Sequence, residues 1–292
     1  MDEYSLDRRQ LRAAFERAAR GYDPAAVLQR EVGTRLLERL DLTTLKPARI
    51  LDLGCGTGRQ LHALQRRYPA ARIVAADLAF NMLAAARRAQ GWLRRPALAC
   101  VDALHLPFAA ASFDLVYCNL MLQWCDDLDR AFSELRRIVK PHGLLLFSSF
   151  GPDTLKELRK AWRVVDARVH VHRFIDMHDI GDALIRAGFV EPVMDVEQLT
   201  LTYADLRALM ADLKKIGAHN VAAGRPHGLG GRLRLRQLTQ AYEPFRRDGR
   251  LPSTWEVVYG TAWTPLYIPA DVLTPDERRA VFPEIPPDGN RS

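Results

Sequence analysis

The first chemical signal in this chain is a carboxylate set beside three alternate glycines. Asp52 stands just before Gly54, Gly56 and Gly58 in the stretch 49–58, R-I-L-D-L-G-C-G-T-G. Glycines so spaced allow positive φ and carry no Cβ, so the main chain can pass against a ligand and turn its N–H groups toward it. Asp52 can accept hydrogen bonds from a ligand ammonium or fix the loop. Asp77 lies about twenty residues beyond the loop, where an acid meets ribose hydroxyls in nucleotide-binding sheets. Asp102 ends a further apolar stretch at the equivalent edge. The chemistry served is the binding of a nucleoside-bearing small molecule, although the spacing G-x-G-x-G is not the dinucleotide fingerprint. The four cysteines, Cys55, Cys100, Cys118 and Cys125, form neither a C-x-x-C pair nor a zinc spacing. Reduced thiols and no metal site are expected.

A strand, a glycine turn and a helix must place these groups. Ile50, Leu51 and Leu53 give an apolar run of strand length, and 59–68 reads as a helix after the turn. Strands over 72–76 and 97–101 end in Asp77 and Asp102, with a helix over 79–90 between them. A fourth strand over 113–118 runs to Asn119, and a helix over 129–139 stops at Pro141 and Gly143 before a fifth strand at 144–150. This alternation predicts an α/β fold with an open, mostly parallel sheet that binds ligands beyond the carboxyl ends of its strands. After Gly151 the rhythm changes. Leu155, Leu158, Trp162, Val165 and Val169 predict one long helix, followed by H-V-H-R-F, a helix over 177–187, a strand over 193–202, helices over 206–216 and 232–246, and a last strand within 255–263. About seven strands result, with helical insertions near 151–190 and 203–250. Two amphipathic helices, 6–19 and 25–40, precede the first strand. The expected organisation is therefore N-terminal helices over 1–48, the sheet domain over 49–268, and a loosely held, proline-containing tail over 269–292.

L-D-L-G-C-G-T-G, the strand end at Asp77, V-D-A-L-H-L-P-F and F-D-L-V-Y-C-N-L resemble the successive motifs of class I S-adenosylmethionine-dependent methyltransferases. The resemblance implies a Rossmann-like sheet with helices on both faces and S-adenosylmethionine as methyl donor. It implies that Gly54, Gly56 and Gly58 pack on the methionine part with Asp52 beneath them, that Asp77 with Leu78 takes the ribose, and that Asp102 and Ala103 lie beside the adenine, near Met82. The run A-A-R-G-Y-D-P-A-A-V-L-Q is similar to N-terminal helices that fold over the cofactor, which makes Tyr22 and Gln29 candidates for closing the site. Asn119 stands where the acceptor approaches.

A class I core leaves the acceptor open, because function lives in the grafted parts. N-L-M-L-Q-W-C at 119–125, A-W-R-V-V-D-A-R-V-H-V-H-R-F at 161–174, L-K-K-I-G-A-H-N at 213–220 with Gly224 and Arg225, and P-S-T-W-E-V-V-Y-G at 252–260 resemble the malonyl-[acyl-carrier protein] O-methyltransferase family of biotin synthesis. The resemblance covers roughly residues 8–265. One departure is K-P-H-G at 140–143, where His142 replaces a usual glycine. The reaction implied is methyl transfer to the free carboxylate of a malonyl thioester on an acidic acyl-carrier protein. That carboxylate is ionised at neutral pH and needs no general base, so catalysis rests on positioning, for which about 7–11 kcal/mol is available in well-oriented cases. A cation must hold the carboxylate, and arginine has the bidentate geometry. Arg173, beside Phe174, is the first candidate, with His170 and His172 as neighbouring donors. Gln123 and Trp124 wall the acceptor side, and Tyr22 closes the other. Lys214, Lys215, Arg225, Arg232, Arg234 and Arg236 are candidates for the carrier-facing surface. Two rivals share features: an arginine-hydroxylating assembly factor for a respiratory complex, through F-G-x-D-T-L-x-E-L-R at 150–159, and an RNA-modifying enzyme, through the basic balance.

That balance is a net charge of +7, from 42 Lys and Arg against 35 Asp and Glu, and it favours acidic partners. No aromatic-interleaved basic stripe supports nucleic acid binding. The start M-D-E-Y-S-L-D-R-R lacks an apolar leader, and no apolar run reaches membrane-spanning length, so a cytoplasmic protein without a membrane partner is expected.

Overall fold

The computed structural model describes residues 7–90, 95–217 and 231–266. Seven strands form one sheet: β1 (Arg49–Leu53), β2 (Arg72–Asp77), β3 (Ala97–Cys100), β4 (Phe113–Asn119), β5 (Val139–Phe150), β6 (Val190–Tyr203) and β7 (Leu251–Trp263). Their spatial order is β3-β2-β1-β4-β5-β7-β6. The first five strands pair in parallel, and β7 enters antiparallel between β5 and β6.

Alternation along the central strands sends successive residues to opposite faces. Ile50, Leu144 and Leu146 enter one core; Leu51, Leu145 and Phe147 enter the other. The first core is covered by α3 (Val27–Glu38), α4 (Leu61–Arg67), α7 (Lys156–Val165), α9 (Leu206–Lys215) and α10 (Gly231–Tyr242), the second by α6 (Leu128–Ile138) and α8 (Met177–Arg186). α1 (Arg8–Ala18), α2 (Tyr22–Ala25) and α5 (Phe80–Ala89) complete the set. In the second core Phe132 and Phe147, both fully buried, meet at 5.9 Å, and burial of each contributes about 1.5–3 kcal/mol. Asp7, Asp127, Asp176 and Asp205 begin α1, α6, α8 and α9 as N-caps, their carboxylates accepting from the first turn.

The fold class read from the sequence holds; β6 and β7 begin three and four residues earlier than read, the helix over 232–246 ends at Tyr242, and three further elements differ more. The long helix expected through Val169 ends at Val165. Asp166 turns its carboxylate back to the Arg168 N–H (3.0 Å) and the His170 ring (2.6 Å), a local alternative to the helical ladder, and Val169 is buried in the loop that follows. The helix expected over 25–40 is α2 and α3 with a 3-10 turn, Arg39–Leu42, behind them. K-P-H-G does not lie between helix and strand but inside β5, as an excursion. Phe113 pairs with Val139 and Leu115 with Leu144, so the chain bulges there, and this bulge accommodates Pro141. His142 has φ of +55°, the left-handed region that glycine enters freely, and its ring stacks on Trp263 at 5.4 Å. The stretch 269–292, expected as a tail, lies outside the described residues.

Candidate functional site

The carboxyl ends of β1, β2 and β4 meet beneath α1 and α2. The N–H groups of Gly54 and Cys55 donate to the carbonyl of Ala76 (2.8 and 3.0 Å), which seats the glycine loop on the end of β2. Asp77 then bridges loop and helix: its carboxylate accepts from Gly56 N–H (2.9 Å) and from Ala79 N–H (2.8 Å), just before α5. Gly54 requires its residue type twice over. Its φ is +74°, and a Cβ there would lie 2.5 Å from the Met121 side chain.

A cavity of about 100 Å³ opens above this loop. Gly54, Gly56, Asp77, Leu78, Met82 and Ala103 line it together with Tyr22, Gln29, Asn119 and Trp124. An adjoining space of about 50 Å³ reaches Asp52 and is shared by Tyr22, Gln29 and Asn119. Asn119 donates its amide to the Gln29 carbonyl (2.9 Å) and accepts from the Ser148 hydroxyl (2.8 Å), tying α3 to β4 and β5. Two predicted residues stand apart. Gly58 lines neither space; a Cβ there would lie 2.8 Å from Ala86 and Leu61, so its part is the close packing of α4 against α5. The Asp102 carboxylate is taken up by the Arg8 guanidinium and the Leu104 N–H (2.9 Å), and Val101 and Ala103 form the cavity wall there.

Burial dominates the electrostatics. Asp52, 2% exposed, is pushed up to about 8 by burial and then by the charge of Asp77. Burial pushes Asp77 up to about 6, against the pull of the main-chain amides of Ala79, Gly56 and Leu78. The Tyr22 phenol is raised by burial and then by Asp77 and Asp23, and the Cys55 thiol by burial and then by Asp52 and Asp77. Asp52 Oδ2 and Gln29 Oε1 are buried without hydrogen-bond partners. Crowded acids and free acceptors of this kind favour a cationic guest that brings donors.

Beside these spaces lies a cleft of about 1430 Å³, between the segment 159–180 and the chain after β4. A partition separates the two spaces. Gln123, 6% exposed, lines both. Trp124 faces the smaller one and His172 the cleft, their rings stacked at 6.1 Å and 17°. His172 Nε2 pairs with the Gln123 carbonyl (3.2 Å), Gln123 Nε2 donates to the Leu120 carbonyl (2.6 Å), and burial lowers the imidazole's proton affinity. Arg173 is exposed and lines the cleft, not the smaller cavity. His170 is fixed by Asp166 and lies flat on Trp162 at 3.6 Å. Of the six carrier-facing candidates, Lys214 and Lys215 end α9, and Arg234 and Arg236 lie on α10, where Arg234 comes within 4.0 Å of Asp166. Arg225 and the side chain of Arg232 lie outside the described residues.

Sequence reasoning missed the clasp on α1. Arg8 pairs with Asp102 and Asp126, and Phe15 meets Trp124 edge-on at 5.4 Å. The Glu16 carboxylate accepts from Phe80 N–H (2.8 Å) and Asn81 N–H (2.7 Å), capping α5 from another helix. No local spacing announces such pairs, since their members are 64 or more residues apart. Among the described residues no cluster of His, Cys, Asp or Glu could hold a metal ion.

Residues 51–147 match the methyltransferase domain family. The malonyl-[acyl-carrier protein] O-methyltransferase of Methylovorus sp. strain MP688 is 55% identical over 282 residues, covering 94% of each chain. That of Gallionella capsiferriformans is 53% identical over 271 residues, 91% of this chain and 93% of its own. Among solved structures, the YcgJ protein of Bacillus subtilis matches with a TM-score of 0.56 at 16% identity, over 79% of this chain and 97% of that one. The [4+2]-cyclase SpnF matches at 0.51 and 23% identity, over 80% and 82%. The structural likenesses bear on fold alone, and a cyclase among them makes the point that chemistry must be read from sites. The walls described here fit S-adenosylmethionine: free acceptors and acids for its cationic end, a strand-end carboxylate for its ribose, and apolar Leu78, Met82 and Ala103 for its base.

Proposed function

Because this chain belongs to the malonyl-[acyl-carrier protein] O-methyltransferase family, we propose that it moves a methyl group from S-adenosylmethionine to the free carboxylate of a malonyl thioester on acyl-carrier protein. The product is the malonyl methyl ester that primes pimeloyl synthesis for biotin. The observation that carries this reading is the reach of the likeness. Identity of 55% over 94% of both chains takes in the acceptor side as well as the cofactor core.

S-adenosylmethionine, when bound, supplies a methyl group already activated on a positive sulfur. What remains for the protein is holding and aiming. The glycine loop, Asp52, Asn119, Tyr22 and Gln29 hold the methionine end, Asp77 the ribose, and Leu78, Met82 and Ala103 the base, with Asp102 steadied behind them by Arg8. The acceptor carboxylate is ionised at neutral pH, so no residue has to remove a proton. Arg173 holds it from the cleft, and Trp124 with Gln123 keeps water from the junction of the two spaces. Correct aim is the main source of rate, about 7–11 kcal/mol in favourable cases. The carrier is taken to be acidic, matched to the net charge of +7. All four cysteines are free thiols, which supports a reducing, cytoplasmic setting. No helix among the described residues is long and apolar enough to cross a membrane.

The test is transfer of label from methyl-labelled S-adenosylmethionine to malonyl-acyl-carrier protein, with the acetyl form as control. Label that requires the malonyl group and leaves on ester hydrolysis is the expected result. Equal labelling of the acetyl form would overturn the carboxylate as acceptor.

A further inference from the structure

The cleft is too large for the group that reacts. At about 1430 Å³ it exceeds the roughly 300–1,000 Å³ of ordinary small-molecule sites, whereas a malonyl group is only a few atoms long. It has room for an extended ligand. Its inner end is the partition at Gln123, where the Oε1 of a residue 94% buried has no partner, and where His172 Nδ1 is likewise buried and unpaired. Both are acceptors: Gln123 Nε2 is committed to Leu120, and His172 Nε2 to the Gln123 carbonyl. Buried acceptors without donors call for N–H groups from a ligand. Along the same wall stand Arg163 and Arg168, both exposed and without an ion-pair partner among the described residues. Between them, Asp166 is held at Oδ1 by His170, while its Oδ2 makes no hydrogen bond and lies 4.0 Å from Arg234. Val171, Phe174 and Ile175 add apolar surface to the same cleft.

Apolar stretches, amide N–H groups and a terminal phosphate describe one chemical class, the 4′-phosphopantetheine arm. Building on the reading above, we propose that the cleft is the binding groove of that arm, and that Arg163 and Arg168 hold its phosphate. Guanidinium groups suit a phosphate in charge and in fork geometry. The amide groups of the arm then pass the free acceptors at the partition, and its thioester end points to the junction with the donor cavity. Coenzyme A and a carrier protein both present this arm, so the wall recognises what they share.

The test is a substrate ladder. Malonyl-pantetheine, malonyl-phosphopantetheine, malonyl-coenzyme A and malonyl-acyl-carrier protein are compared as methyl acceptors for the full chain and for the double variant Arg163→Glu, Arg168→Glu. Wild type should prefer phosphopantetheine over pantetheine by about tenfold or more in kcat/KM, the worth of a charge-assisted contact, and the double variant should narrow that ratio to within about twofold. The rise in KM should appear for the coenzyme A and carrier forms alike. A preference for phosphate that survives in the variant overturns the assignment of the two arginines. A penalty seen with the carrier form alone also overturns it, and makes the wall a docking face for the carrier's own surface. If no malonyl thioester is methylated while S-adenosylmethionine still binds, the reading of the function fails, and the groove with it. Melting curves of variant and wild type distinguish lost recognition from lost fold.

Discussion

At the ends of β1 and β2 the binding surface is mostly main chain: left-handed glycines, amide donors and one carboxylate that staples the loop to α5. Across the sheet, beyond β4 and β5, it is made of side chains. Gln123, Trp124, His172 and the arginines of 159–173 come from loops and from an inserted helix, and they touch through rings and single hydrogen bonds. The contrast teaches where each kind of specificity is stored. A donor common to many enzymes is met by backbone geometry, which few substitutions can reproduce. The acceptor is met by replaceable groups on a constant frame.

The contrast is broken most directly at Gly54. In Gly54→Ala a Cβ must share space with Met121 at a φ of +74°. Donor affinity measured by calorimetry should fall about 100-fold or more. Unchanged affinity would mean that the loop is not the donor's cradle.

Next in size is a pH effect at Asp52. Folded-state values of about 8 for Asp52 and about 6 for Asp77 lie above the ordinary 3.8, so between about pH 4 and pH 8 the folded chain keeps protons that the unfolded chain releases. Stability from these groups is fullest below that window and declines as pH rises through it. Asp52→Asn removes the larger part. The melting temperature of wild type should drop between pH 5 and pH 8, that of the variant less, leaving the variant higher at pH 8 by roughly 5 °C. Parallel curves would remove the buried acid from the account.

On the acceptor side the effects should be smaller and confined to one substrate. Arg173→Ala should raise KM for the malonyl acceptor about tenfold and leave donor affinity within about twofold. A loss shared equally by donor and acceptor would erase the division of labour. The smallest effect is expected at His142, remote from both spaces. In His142→Gly the relief of a left-handed backbone, the lost stacking on Trp263 and the extra freedom of the unfolded chain nearly cancel, so the melting temperature should move by no more than about 2 °C, with activity intact.

The same division governed what could be read from the sequence. Strand order and glycine loop were legible because parallel strands buried on both faces write their apolar runs and glycine punctuation locally. Asp77, Leu78, Met82, Ala103 and Asn119 came together as read because strand ends are set by that local pattern. The Glu16 cap on α5 and the Arg8 clasp on Asp102 join residues distant in the chain, and no spacing rule reports them. The helix through Val169 was misread because its apolar stripe continued while Asp166 closed a turn of its own. Gly58 looked like its two neighbours, but only packing tells a glycine that admits a ligand from one that admits a helix.

The enclosure under α1 has an energetic consequence. α1 lines the donor cavity through Leu11 and Phe15 and is held by Arg8 to Asp102 and Asp126, so a displacement of α1 would open the cavity on that side. A donor that needed that displacement to enter would bind with its intrinsic affinity scaled by the displaced fraction. Loosening the Arg8 tether would enlarge the fraction and hasten loading, while shortening the residence of the donor once inside.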